Sequence, residues 1–390
     1  MFDRPQKEFS SAEHRYLGDI ELKGLPSEFQ KFKFPTGAEV SFGEIIALAG
    51  DYFGVYLAPI ALGPSEKDKQ ERFMQAYQEL KTCDPEKIYA ITRHISYEVQ
   101  DNNILIRDIN KHMLMLAMHN IDHFNDYAVS AFSAGYELAM RAAVRAADES
   151  GEKTQQEQLA YAYTLLAYAC HFITDRFAAG HIRTPRMELD QMFDPEIGSI
   201  LAFFQHNEDG DLGLELQSAS VDDPTLTPFM AYGDGHLFEV RDSECRQRVM
   251  KAVQVAADEV YQAFVSKKAI AFEDSVLNRL IPTVTNNNHL PLFKMNDDGE
   301  LMYRFYVTDP YSDCYVQLNR IRAIGIIMAK ARQFVGTAIG DQIEMALQWL
   351  KGEAQIDQGN LVDQSIFKPQ TDTENKDVMV IKIGSDLVKP

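Results

Sequence analysis

AYACHFITDRFAAGHIRTPR, residues Ala167 to Arg186, places His171, Asp175 and His181 in an H-x3-D-x5-H spacing on an almost wholly apolar segment. A helix turns about 100° per residue, so His171 and Asp175 lie one turn apart on the same face. Gly180 predicts the helix stop and Pro185 follows it, which puts His181 on the turn leaving that face. A carboxylate buried in such a helix is costly unless it has a partner. No Lys or Arg lies one turn N-terminal to Asp175. A divalent metal is the partner that also accounts for both histidines.

Working outward, apolar positions recur at helical spacing over most of the chain. Helices are predicted over Phe42 to Ala58, Asp84 to Glu98, Ile104 to His119 and Tyr127 to Ala147, with Gln155 to Ala179 as the central one. Pro195 to Gln205 and Asp242 to Val265 follow, Pro195 suiting a first helical position and Asp242 or Ser243 a cap. Between them, the Gly, Asp and Pro content of Asn207 to Glu239 predicts an ordered loop. After about residue 267 the texture changes: IPTVTNNNHLPLF and KMNDDG read as short extended pieces around a turn. A helix over Tyr315 to Lys351 comes next, then a polar tail in which VMVIKIG from Val378 suits an edge strand or a recognition segment. The expected architecture is mainly all-α, with a helical domain over residues 1–268 and a smaller mixed region, of no assigned role, over 269–390.

The chain has 390 residues, 45% hydrophobic and 25% charged, the make-up of an ordinary globular protein. Its formal net charge of −20 argues against a general nucleic-acid binder, which needs a basic stripe to meet phosphates. Cys83, Cys170, Cys245 and Cys314 are widely spaced, with no C-x2-C pair, and read as structural thiols. The first sixteen residues hold no apolar core of secretory length, and the run Leu159 to Cys170 is shorter than a membrane span. A soluble protein is expected, with signal-independent export and prior removal of a signal both open.

Seven of the ten histidines fall in settings suited to metal. They are His14 in SSAEHRYLGD, His119 and His123 in HNIDHFND, His171 and His181 in the central segment, His206 in FFQHNEDGD, and His236 in YGDGHLF. Asp51 in IALAGDYFG, Asp175, and Asp209 beyond His206 supply carboxylates. Imidazole with carboxylate and no cysteine suits zinc. The i, i+4 pair His119/His123 can clamp a metal but also arises by chance, and His94, His112 and His289 read as ordinary core or surface residues.

HFITDRFAAGHIRTPR, with HNIDHFND upstream and HNEDGDLGL downstream, resembles the bacterial zinc-dependent phospholipase C family, in particular its Pseudomonas fluorescens/Legionella-type branch. More distantly it is similar to Bacillus-type phospholipase C and P1 nuclease. The HF-x-D motif at His123 lies 48 residues before His171, a separation that family shares, and the likeness covers about residues 10 to 240. It implies an all-helical fold with two to three zinc ions in one cleft. One zinc would take Asp51, His123 and His171, with Asp175 bridging. A second would take His181, His206 and a following carboxylate, for which Asp209 is the expected residue and Glu208 and Asp211 the alternatives. A third would take His14 and Asp175, completed by an N-terminal amine, by Asp19 or by water. Two departures stand out: Gly210 occupies the place of the later carboxylate in the distant enzymes, and the chain begins with Met1 where those often expose Trp.

The resemblance further implies a secreted enzyme that works peripherally on membranes. It would cleave glycerophospholipids such as phosphatidylcholine into diacylglycerol and a phosphorylated head group, with Asp51 orienting or deprotonating the attacking water. Arg183 and Arg186 are candidates to hold phosphate. Leu212 to Phe238 is the best candidate for an apolar lip. A nuclease or phosphatase on the same fold, and a non-enzymatic protein stabilised by zinc, are the alternatives. Nucleic acid is not an expected partner.

Overall fold

The computed structural model describes residues 11–26, 31–55, 57–97, 112–113, 115–193, 195–233, 235–331 and 343. The helices among them are α1 (Ser11–Leu17), α2 (Phe42–Leu48), α3 (Glu66–Thr82), α4 (Pro85–Tyr97), α5 (Asn125–Asp148), α6 (Glu152–Asp175), α7 (Ala179–Ile182), α8 (Arg186–Met192), α9 (Pro195–Leu212), α10 (Ser243–Ser266), α11 (Val276–Leu280) and α12 (Arg320–Ala331). Eight short strands accompany them: β1 (Lys31–Lys33), β2 (Glu39–Ser41), β3 (Leu214–Ser218), β4 (Thr227–Ala231), β5 (Thr283–Val284), β6 (Phe293–Met295), β7 (Leu301–Arg304) and β8 (Tyr315–Gln317). The protein is mainly helical, as the periodicity predicts. None of its described helices is long and apolar enough to cross a membrane.

The centre is the antiparallel pair α5 and α6. Ala128, Ala131, Ala139, Ala142, Ala143 and Ala146 line the buried face of α5, and small side chains let helix backbones approach closely. Every side chain of α6 from Ala162 to Asp175 is buried. Around this pair, α2, α3 and α10 complete one large core. The helix over Glu66–Thr82 is not anticipated by the periodicity, because charged residues surround its few apolar positions. Phe73, Ala76, Tyr77 and Leu80 nevertheless fall on one buried stripe, and the Ser65 side chain caps the start by accepting from Asp68 N.

Three expected boundaries are corrected. The helix from Phe42 stops at Leu48 rather than Ala58, because Gly50 takes a left-handed φ of 70° and turns the chain away. The helix from Pro195 continues to Leu212, through residues expected to be loop, and ends where Gly213 adopts a φ of 77°. Beyond it β3 and β4 form an antiparallel ladder from Leu214↔Ala231 to Ser218↔Thr227. Tyr315–Gln317 is a strand paired with β7, so the helix expected from Tyr315 starts only at Arg320. The greater part of the predicted helix over 104–119, the segment 332–351 apart from Ile343, and the tail containing Val378 lie outside the described residues.

The expected division at residue 268 falls inside a core rather than between cores. Phe272, Leu277 and Leu280 pack into the large cluster, and β5 joins the edge of β3. A second cluster joins Leu189, Phe193, Leu201 and Phe204 of the helical part to Leu292, Phe293, Leu301 and Ile327. Buried Glu259 on α10 stitches the boundary, accepting from Tyr136 Oη at 2.8 Å, Ser275 Oγ at 2.6 Å and Val276 N at 2.8 Å. Glu259→Ala leaves those donors without their acceptor and should lower stability by about 2 kcal/mol in urea melts. A main transition left unmoved in this variant would contradict the role given to Glu259.

Candidate metal centre

Four separate pieces of chain deliver donors to one buried spot. His14 comes from α1, Asp51 from the irregular stretch after α2, His123 from the turn before α5, and His171 with Asp175 from the end of α6. Asp175 is fully buried, and three imidazoles close on its carboxylate. His123 Nδ1 lies 2.9 Å from Oδ2, His14 Nε2 3.4 Å from Oδ1, and His171 Nε2 3.8 Å from Oδ2. His171 Nε2 is also 3.8 Å from Asp51 Oδ1. Two donor groups sharing His171 result: His14, His171 and Asp175, and Asp51, His123 and His171, each with its ligand atoms within 4.8 Å of one another.

The surroundings fix which nitrogen of each ring faces inward. His171 Nδ1 donates to Ile46 O at 2.9 Å, leaving the Nε2 lone pair for the centre. Thr174 Oγ1 donates to His171 O and so accepts from His14 Nδ1 at 2.8 Å, which again leaves Nε2 facing Asp175. His181 Nδ1 donates to His123 O at 2.9 Å, and its Nε2 meets His206 Nε2 at 3.0 Å. The turn that presents His123 is anchored by Asp122, whose carboxylate accepts from Ile60 N at 2.6 Å and Ala61 N at 2.8 Å. Burial pushes Asp122 up to about 6 in spite of those bonds.

The electrostatics suit a cation. Burial works to raise Asp175, but the rings of His181, His171 and His123 outweigh it and hold the carboxyl well below its ordinary range. Burial and the neighbouring His14 and His123 hold His171 well below its ordinary value, so its lone pair is available at neutral pH. Burial also opposes protonation of His123, but Asp175, Asp51 and Asp122 prevail and raise it. The spacing suits a metal as well. His123 Nδ1 and His171 Nε2 are 3.3 Å apart. Two nitrogens on a tetrahedral zinc with bonds of about 2.0–2.1 Å stand at about that separation. The backbone leaves the space open: a Cβ at Gly50 would lie 2.5 Å from His171 Nε2 and 2.9 Å from His123 Cε1.

Of the residues predicted from the sequence, His14, Asp51, His123, His171 and Asp175 thus come together, and His181 meets His206 beside them. Asp209, expected as a ligand, does not join these groups among the described residues. Its oxygens are taken by Arg183, at 2.7 and 3.0 Å, and by His289 Nε2 at 2.8 Å. The alternatives are engaged too, Glu208 with Arg304 at 2.7 Å and Asp211 with His236 at 3.4 Å. His236 also bonds Glu239, and His119 lies in neither group. Arg183 and Arg186 are not free to hold phosphate as expected. Arg183 is committed to Asp209, and buried Arg186 to Asp190, Asn120 and Met118 O. The sequence reading missed Asp122 and the glycine cradle; the i−1 carboxylate beside His123 was the available signal.

A small pocket opens beside His14 and Asp175, lined by Phe177, Tyr232, Leu237, Glu13 and Asp242. Burial, with the charge of Glu13 adding, pushes Asp242 up to about 7 against the bond from Tyr232 N. The folded state therefore holds this proton more tightly than the unfolded chain does. Its contribution to stability is complete below the unfolded pKa and is lost as pH rises through about 7. Relative to wild type, Asp242→Asn should gain about 2 kcal/mol between pH 5 and pH 8 in paired urea melts. An unchanged difference at the two pH values would contradict the assigned shift.

No family model, curated protein or solved structure matches the chain.

Proposed function

We propose that the protein is a zinc-dependent phospholipase C, hydrolysing the glycerol-phosphate ester of phosphatidylcholine-like lipids. The observation that carries this reading is the convergence of His14, Asp51, His123 and His171 on the buried Asp175 carboxylate. The spacing of these residues along the chain supports it, through the family resemblance drawn from the sequence. His14, Asp51, His123, His171 and Asp175 would hold zinc, with His181 and His206 serving a further ion. Zinc bound there supplies a water of lowered pKa and offsets the charge that builds on a phosphodiester.

The chain's own contribution is orientation and proton handling. His14 and His171 are held in the tautomer that presents Nε2 by Thr174 and the Ile46 carbonyl. Asp51 is the one carboxylate of the two groups that is partly exposed, so it faces the side from which water and substrate arrive. Its Oδ takes the proton of the attacking water, whose oxygen joins phosphorus. The bond from phosphorus to the glycerol oxygen breaks, and that oxygen takes up the proton Asp51 received, handed on through solvent, and leaves as diacylglycerol. The net charge of −20 favours a lipid over a nucleic-acid polyanion as the diester.

Incubation with phosphatidylcholine micelles and, in parallel, with single-stranded DNA tests the reading. Diacylglycerol and phosphocholine should appear, should disappear on chelation, and should fall about a hundredfold or more in Asp51→Asn. Nucleotide release in place of lipid cleavage points to a nuclease. Metal content with no turnover of either substrate points to a structural role for zinc.

A further inference from the structure

His181 and His206 meet through their Nε2 atoms, yet they sit on different elements, α7 and α9, and something has to hold those elements in register. Arg183 follows His181 by two residues, and Asp209 follows His206 by three. Their side chains form a two-pronged ion pair, Nε to Oδ2 at 3.0 Å and Nη2 to Oδ1 at 2.7 Å. His289 closes the triangle: its Nε2 reaches Asp209 Oδ1 at 2.8 Å, and its carbonyl accepts from Arg183 Nη1 at 2.8 Å. Asp209 is fully buried and His289 nearly so. The neighbouring Glu208 is held through one oxygen. Arg304, itself fully buried, donates to Glu208 Oε2 at 2.7 Å and to the carbonyls of Leu290 and Val307. Two consecutive residues of α9 are therefore fixed to one stretch of chain far along the sequence.

We propose that Arg183, Asp209 and His289 are positioning residues for a metal position at His181 and His206, and that segment 289–307 is the fixed backing of that position. The inference rests on reading His181 and His206 as metal ligands. A forked guanidinium on a carboxylate fixes both distance and angle, and a shift well under an ångström is enough to weaken a bound ion. His206 and Asp209 are three residues apart on one helix, so a carboxylate locked on one side holds the imidazole one turn away. Asp209 thereby serves the metal through Arg183 and His289 instead of touching it.

Cobalt titration of the full chain tests this, reading the visible absorption and the number of ions bound as the metal rises. His289→Met removes the donor to Asp209. His289→Gln, of nearly the same length, restores one through its amide. In His289→Met one of the bound ions should weaken by about 10- to 100-fold, with the others unchanged and the melting curve still cooperative. His289→Gln should recover most of that loss. Arg183→Lys keeps the charge without the fork, so it should weaken the same ion and serves if His289→Met fails to fold. Wild-type affinity for every ion in His289→Met and Arg183→Lys overturns the proposal. So does equal weakening of all ions, or a Gln variant no better than Met. A wild-type chain that takes up no cobalt removes the metal reading itself, and this inference with it.

Discussion

Asp175→Asn should lose bound metal and phosphodiester turnover together, with activity falling by about a thousandfold or more. Three imidazoles face this one carboxylate, and it is fully buried among them. Asn has nearly the same shape but no charge, so it keeps the packing and removes the anion that offsets a divalent ion. The rings around Asp175 would then lose the anion they share, and a cation placed among them would gain little. Metal analysis and head-group release on the same preparation check the pairing. Retained activity with metal lost, or full metal content with activity intact, would contradict the central role of this residue.

Gly50→Ala is the second large effect. The added methyl would stand 2.4 Å from His171 Cδ2 and 2.5 Å from its Nε2, closer than real contacts allow. His171 cannot retreat, because it is fully buried and its Nδ1 is tied to Ile46 O. The residue also sits at a φ of 70°, which costs a side chain about 1–2 kcal/mol, and overpacking adds about 1–3 kcal/mol. A total loss of about 2–5 kcal/mol in denaturant unfolding is expected. Metal affinity should fall as well, since the same methyl pushes on His123. A variant with native stability and native metal content would show that no ring stands where Gly50 leaves room.

Much of the centre could be read from spacing because helices make it local. His171 and Asp175 share a face by periodicity alone, and the apolar run around them announces burial. His14 carries no such local signal, and the i, i+4 spacing of His123 with His119 does not point to Asp175. Their place came from the resemblance, and the structure brings them to Asp175 through tertiary contacts. The surroundings of Asp209 are not legible in the sequence, for a physical reason. The sequence near His206 reads as the start of a loop, but α9 continues through Gly210, and Asp209 then faces Arg183 and a histidine eighty residues away. No local pattern reveals that partner. Around residue 268 a change in composition is visible in the sequence, whereas the contacts of Glu259, Phe272 and β5 that cross it are long-range. The helix over Glu66–Thr82 went unseen because its four buried positions are outnumbered by charges that only solvate its outer face.

Crystals of the full chain grown with zinc, measured on both sides of the zinc absorption edge, give the most direct test. Anomalous peaks are expected beside Asp175, within bonding distance of His171 and of His14 or His123, with a further peak between His181 and His206. A map without peaks at Asp175, from protein that keeps these side chains in place, would contradict the metal centre and remove the basis for phospholipid cleavage.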